Sequence, residues 1–132
     1  LYPSMMVARN ISWETKSETP TEFGVNILTP RDFSEPEGDR MYYYKTDELG
    51  LLPKAVLELK ELRNDYKKRT TDTERLNWDN NQLAVKRLMA SFYGVLAYQG
   101  FGWADVDLAA SITASAREAI RLAAFKAKEL EV

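Results

Sequence analysis

The sequence predicts an α+β fold, with short strands and loops over residues 1–53, an antiparallel two-helix hairpin over 54–93 and a long helix within 94–132. Three observations predict it. All five prolines lie at or before Pro53, so the strongest helix breakers are confined to the first segment. In that segment short apolar runs alternate with turn clusters, as short strands do. From Pro53 onward, apolar residues recur at helical spacing.

Met5-Met6-Val7, Val25-Asn26-Ile27-Leu28 and Met41-Tyr42-Tyr43-Tyr44 read as short strands, separated by turns such as Ser34-Glu35-Pro36-Glu37-Gly38-Asp39. Gly50-Leu51-Leu52-Pro53 opens the first helix, with proline in the first turn where its missing N–H costs nothing. Val56, Leu57, Leu59, Leu62 and Tyr66 carry an apolar stripe to about Arg69. Thr70-Thr71-Asp72-Thr73 breaks it, and Thr71 with Glu74 fits a capping box for a second helix through Leu76, Leu83, Leu88, Met89 and Phe92. A short polar connection makes the two helices antiparallel neighbours. After Tyr98-Gln99-Gly100-Phe101-Gly102-Trp103, Asp105 caps a third helix. Its buried face is expected at Ile112, Ala116, Ala119, Ile120, Ala123 and Ala127.

The 132 residues suffice for one modest core. With no cysteine and no histidine, disulfides, thiolate zinc sites, Cys nucleophiles and Ser-His-Asp triads are excluded. Metal chemistry would rest on carboxylates and hard cations. No apolar run is long enough to span a bilayer, and the expected location is intracellular. The formal net charge is only −2, but it is unevenly distributed. Residues 1–53 carry a net −4, residues 54–93 a net +3 and residues 94–132 a net −1. The hairpin is therefore a basic element in an acidic remainder, which fits a local anion site or a merely solvated helical surface.

Within the hairpin, Arg63 and Lys67 are four apart on one helix, while Lys86, Ala90 and Tyr93 share a face of the other. Side by side, three cations without an adjacent acidic partner would suit a polyphosphate. A plain solvated face explains the same spacing. Asp105 and Asp107 read as helix-start carboxylates, and Glu35, Glu37 and Asp39 as a solvated turn. Alternation sends Tyr43 opposite to Tyr42 and Tyr44, which favours sheet packing over base stacking.

Leu1-Tyr2-Pro3-Ser4-Met5-Met6 resembles the end of the palm motif D-x-x-S-L-Y-P-S-I-I of family B (alpha-like) DNA polymerases, notably of archaeal type. Lys86-Arg87-Leu88-Met89-Ala90-Ser91-Phe92-Tyr93-Gly94 resembles their fingers motif K-x-x-x-N-S-x-Y-G. Gly50-Leu51-Leu52-Pro53 with Glu61-Leu62-Arg63 and Lys67-Lys68 is similar to the opening fingers helix. Asp107-Leu108-Ala109-Ala110-Ser111-Ile112-Thr113 with Arg117 is similar to the palm helix that follows. The four regions occur in family order over essentially the whole chain.

The resemblance implies a palm segment at 1–53, the fingers hairpin at 54–93 and a palm helix segment at 94–132. It implies that Arg63 and Lys86, with Lys67 as a weaker candidate, hold the triphosphate of an incoming deoxynucleoside triphosphate. The backbone amides of Leu1 and Tyr2 would approach the phosphates. Tyr2 would lie under the sugar as the gate against ribonucleotides, and Ala90, Tyr93 and Gly94 would line the nascent base pair. Ala90 departs from the family's Asn, so an amide contact is missing there. Pro3 biases Tyr2 toward an extended or turn conformation; without the resemblance, Tyr2 would read as a core aromatic.

The implied reaction is template-directed nucleotidyl transfer in DNA replication, with two Mg²⁺ ions held by palm carboxylates. The implied partners are primer-template DNA, deoxynucleoside triphosphates and the remainder of the polymerase chain, with no membrane; the implied location is cytoplasmic, with the nucleoid. The motif's catalytic Asp is expected four residues before Leu1, and a D-T-D motif after Val132. The chain therefore reads as an excerpt without catalytic or metal-ligating residues of its own, expected to be inactive alone. The alternative is a non-catalytic basic helical hairpin that binds nucleic acid or a protein partner.

Overall fold

The computed structural model describes residues 1–26, 41–69 and 75–130. The chain runs as α1 (Tyr2–Ala8), β1 (Lys16–Ser17), β2 (Phe23–Asn26), β3 (Met41–Tyr44), α2 (Leu51–Lys68), α3 (Arg75–Ala97) and α4 (Val106–Glu129). It is an α+β fold. β3 lies between β1 and β2, antiparallel to both, in register Ser17↔Tyr43 and Gly24↔Tyr43.

One expected strand is a helix. Met5-Met6-Val7 belongs to α1, and Tyr2, expected to be extended or in a turn, is its first residue, with Met5 N–H bonded to Leu1 O at 3.1 Å. Pro3 falls in the first turn, where a missing N–H is harmless. Three adjacent apolar residues carry no period that separates strand from helix. α1 ends in a paired closure: Asn10 N–H reaches Val7 O at 3.3 Å and Ile11 N–H reaches Met6 O at 2.9 Å. Asn10 takes the left-handed conformation this requires, with φ 51°.

α2 and α3 form the expected hairpin, and opposed residues give its direction. Tyr66 stacks on Trp78 with ring centroids 5.6 Å apart, and Arg63 meets Gln82; the numbers run oppositely, so the helices are antiparallel. Val56, Val85 and Met89 lie in the core with Met6 of α1 and Leu108 and Ile112 of α4. The expected capping box at Thr71 and Glu74, the acidic turn at Glu35, Glu37 and Asp39, and Ile27-Leu28 lie outside the described residues.

The tyrosine strand packs in the sheet. Tyr44 is fully buried and its hydroxyl donates to Ser111 Oγ at 2.6 Å; Tyr42 donates to Asp107 Oδ1 at 3.0 Å. Both join β3 to α4. Tyr43 lies beside Gly24, where a Cβ would come within 3.0 Å of its ring.

α4 needs a correction. Asp105 caps it as expected, accepting from the amides of Asp107 at 3.1 Å and Leu108 at 3.2 Å. Burial then stops at Ala116: Ala119 and Ala127 are half-buried, Ala123 is exposed and Ile120 is 58% exposed. At about 1.5 Å per residue the helix is about 36 Å long and outruns the body that covers its first half. Periodicity marks an apolar side; it does not say where the covering partner ends.

Candidate functional site

The hairpin is anchored at the start of α2 by a loop some 40 residues earlier. Gly50, the residue before the helix, has no side chain to cap it. Asn10 Oδ1 instead accepts the Gly50 amide at 2.7 Å, Ser12 Oγ accepts the Leu52 amide at 3.2 Å and Glu14 accepts the Leu51 amide. Asn10 Nδ2 also donates to the carbonyls of Lys45 at 2.8 Å and Glu48 at 2.7 Å. Glycine is required at position 50, because a Cβ would stand 2.6 Å from Ser12 Cβ. Partial burial pushes the Glu14 carboxyl upward. Hydrogen bonds from Ser12, its own amide and Leu51, with Lys54 nearby, outweigh this and hold it below the ordinary carboxylate range. A carboxylate at a helix N-terminus also complements the helix dipole.

Beyond this anchor, α1 and the hairpin present one face. The Tyr2 ring lies against the Tyr93 ring, centroids 4.7 Å apart and planes tilted by 40°. Lys60 Nζ donates to Ser4 Oγ at 3.2 Å and so links α2 to α1. Across the hairpin Arg63 Nε donates to Gln82 Oε1 at 3.0 Å. Gln82, Lys86 and Tyr93 follow one another along one side of α3. Lys67 and Lys86 are exposed and make no ion pair among the described residues. The hairpin thus carries two ammonium groups without an ion pair among the described residues and a guanidinium held at its Nε, and its Tyr93 contacts Tyr2 of α1. Such donors suit a ligand carrying several anionic oxygens.

Among the described residues no three carboxylates gather as a metal centre. Asp105 and Asp107, the nearest approach to one, are engaged structurally: Lys16 Nζ is 2.7 Å from Asp105 Oδ2 and 3.5 Å from Asp107 Oδ2. The described residues therefore do not fit a divalent cation. Burial alone would lower the Lys16 pKa, but the two aspartates raise it. Burial, reinforced by Asp105, Asp107 and Tyr42 and opposed by the Ser111 hydrogen bond, pushes Tyr44 up to about 12.

These shifts predict alkaline destabilisation. An unfolded tyrosine loses its proton near pH ~10, so between there and about 12 the unfolded chain binds fewer protons than the folded one. Stability then falls as pH rises, for Tyr44 by up to about 2–3 kcal/mol. Lys16 acts in the same direction, since a raised folded pKa gives stability that is lost as pH climbs through it. Denaturant unfolding at about pH 9 and about pH 12 should show a larger fall for the unmodified chain than for Tyr44→Phe. Equal falls would remove Tyr44 as the cause.

With this geometry in view, comparison with known proteins is decisive. The profile of DNA polymerase family B matches residues 1–129. The chain belongs to that family. It is 31% identical over 125 residues to a DNA polymerase of Desulfurococcus sp. (strain Tok), covering 91% of this chain and 15% of the relative. To a DNA polymerase of Pyrococcus glycovorans it is 29% identical over 136 residues, 99% of this chain and 16% of the relative. To the DNA polymerase delta catalytic subunit of Caenorhabditis elegans it is 25% identical over 134 residues, 98% of this chain and 12% of the relative. The chain thus spans about an eighth to a sixth of these family B relatives.

In this family B segment the residues singled out from sequence are only partly assembled. Tyr2 and Tyr93 touch, although 91 positions apart. Arg63 and Lys86 lie on facing helices of the hairpin, and Arg63 bonds to Gln82, one turn before Lys86. Lys67 lies one turn beyond Arg63, toward the end of the hairpin that holds Tyr66 and Trp78. Leu1 precedes α1 and is 60% exposed; Ala90 and Gly94 are exposed on α3. Gln82 and Lys60 escape sequence reasoning. Lys60 does fall on the Arg63-Lys67 stripe, three residues before Arg63. Gln82 stands four residues before Lys86.

Among the described residues no helix is long and apolar enough to cross a membrane.

Proposed function

We propose that this chain is the nucleotide-capturing part of a DNA-directed DNA polymerase, with palm segments at 1–53 and 94–132 and the fingers at 54–93. The observation that carries the reading is that Arg63 reaches across the hairpin to Gln82, one turn before Lys86, while Tyr2 meets Tyr93. Primer-template DNA and a deoxynucleoside triphosphate are the substrates, and the remainder of the polymerase chain completes the site.

In the proposed reaction a primer 3′-hydroxyl attacks the α-phosphate in line and pyrophosphate leaves. Two Mg²⁺ ions would supply charge stabilisation to this reaction, and carboxylates of the remainder of the polymerase chain would hold them, since no three carboxylates gather among the described residues. This chain's side chains bind and orient. Lys86 and Arg63 take the triphosphate oxygens as charge-assisted donors, with Lys67 adding charge farther out and the Leu1 and Tyr2 amides approaching from α1. The sugar rests on Tyr2. Tyr93, Ala90 and Gly94 face the nascent base pair.

Gly94 supports that last assignment. A glycine within a helix costs up to about 1 kcal/mol against alanine, yet a Cβ at Gly94, in the last turn of α3, would meet nothing within 4 Å among the described residues. Packing among the described residues does not ask for glycine at this position, and a close-fitting substrate would.

The test is steady-state primer extension by a polymerase carrying this segment. Substitutions at Arg63 and Lys86 should raise the nucleotide KM or lower kcat while primer-template affinity stays constant. Loss of DNA affinity with unchanged nucleotide kinetics would favour a nucleic-acid-binding hairpin instead.

A further inference from the structure

Of Arg63, Lys67 and Lys86, Arg63 is the one whose charged group is held by a hydrogen bond among the described residues. Its Nε, the guanidinium nitrogen nearest the backbone, donates to Gln82 Oε1 at 3.0 Å across the hairpin. A guanidinium has five N–H donors in one plane. Fixing Nε fixes that plane and leaves the four terminal donors for another ligand. The acceptor is neutral, so the positive charge is oriented without being compensated. Gln82 is half-buried and stands one turn before Lys86, so the contact also sets Arg63 of α2 relative to the cation of α3.

We propose that Gln82 is a positioning residue that aims the Arg63 guanidinium at the triphosphate before the nucleotide arrives. The proposal rests on Arg63 being a triphosphate ligand. Residue type matters on this account. Methionine has similar length but replaces the amide oxygen with a weakly accepting thioether, which frees the guanidinium plane to rotate. Glutamate keeps the acceptor but adds a carboxylate that pairs with Arg63 and repels the phosphates. Preorganised donors lose less freedom on binding, so removing the acceptor weakens capture more than the later chemistry.

The experiment is nucleotide kinetics on the polymerase carrying this segment, with Gln82→Met, Gln82→Glu, Arg63→Ala and the Gln82→Met/Arg63→Ala double variant. Loss of one hydrogen bond predicts a rise in nucleotide KM of roughly three- to tenfold for Gln82→Met, with a smaller change in kcat. Gln82→Glu should raise KM further. In the Arg63→Ala background Gln82→Met should add nothing, because its effect passes through Arg63. A purely structural Gln82 would instead lower the melting temperature and multiply the Arg63→Ala defect. A raised KM in Arg63→Ala with an unchanged KM in Gln82→Met overturns the positioning role alone. So does an undiminished Gln82→Met effect in the double variant. An unchanged KM in Arg63→Ala overturns the triphosphate role of Arg63 and this proposal with it.

Discussion

Lys86→Ala, in a polymerase carrying this segment, is expected to lower kcat/KM for the incoming deoxynucleotide by roughly one to two decades. A hydrogen bond from a charged donor contributes about 1.5–3 kcal/mol, and each 1.4 kcal/mol is about tenfold. Lys86 is exposed and has no ion pair among the described residues. Its removal therefore orphans no carboxylate among the described residues, and the loss reports the missing donor. Arg63→Ala should act in the same direction. The double variant should lose less than the product of the two single losses, since both donors hold one triphosphate. Lys67→Ala should lose least. The hairpin register puts Arg63 opposite Gln82, next to Lys86 on α3, whereas Lys67 is one turn, about 6 Å, farther along α2. Unchanged kcat/KM in a correctly folded Lys86→Ala enzyme would remove Lys86 from the site.

The second large effect concerns Tyr2. Tyr2 is 37% exposed as a residue and its ring rests against Tyr93, unlike a fully buried core aromatic. On the proposed reading a deoxyribose fits over that ring, while a 2′-hydroxyl meets carbon where it needs space and a hydrogen-bond partner. Selection is then by exclusion. Truncation of Tyr2 to Ala or Gly should raise ribonucleotide use while deoxynucleotide use falls much less. The ratio of kcat/KM for deoxyribonucleotide over ribonucleotide should drop by at least about tenfold, with each 1.4 kcal/mol of lost exclusion giving one decade. If the ring served packing alone, truncation would lower the melting temperature and depress both substrates alike. An unchanged ratio beside a lowered melting temperature would mean that Tyr2 is a packing residue.

Much of this fold is legible in the residues because long periodic segments speak for themselves. α2, α3 and α4 follow from apolar spacing, the proline boundary and the Asp105 cap. α1 does not, because Met5-Met6-Val7 is too short to show a period and Pro3 suits either an extended stretch or a first helical turn. The exposed second half of α4 is equally hidden, since Ile120 and Ala123 look buried to any periodicity argument. At the site the cations are visible as i, i+4 pairs. What holds them is not. The Arg63–Gln82 contact needs the hairpin register, and the cap on α2 comes from Asn10, Ser12 and Glu14, 37 to 40 positions away. Contacts between segments that far apart depend on tertiary packing, about which local pattern is silent.

The claim that this face captures a triphosphate is tested most directly by amine labelling of lysines in the polymerase bound to primer-template. Lys86 and Lys54 are both exposed, but only Lys86 lies on the proposed face. Saturating deoxynucleoside triphosphate should slow labelling of Lys86 and leave Lys54 unchanged, and the matching nucleoside without phosphates should protect neither. Lys86 labelling at the same rate with and without the triphosphate would contradict the account.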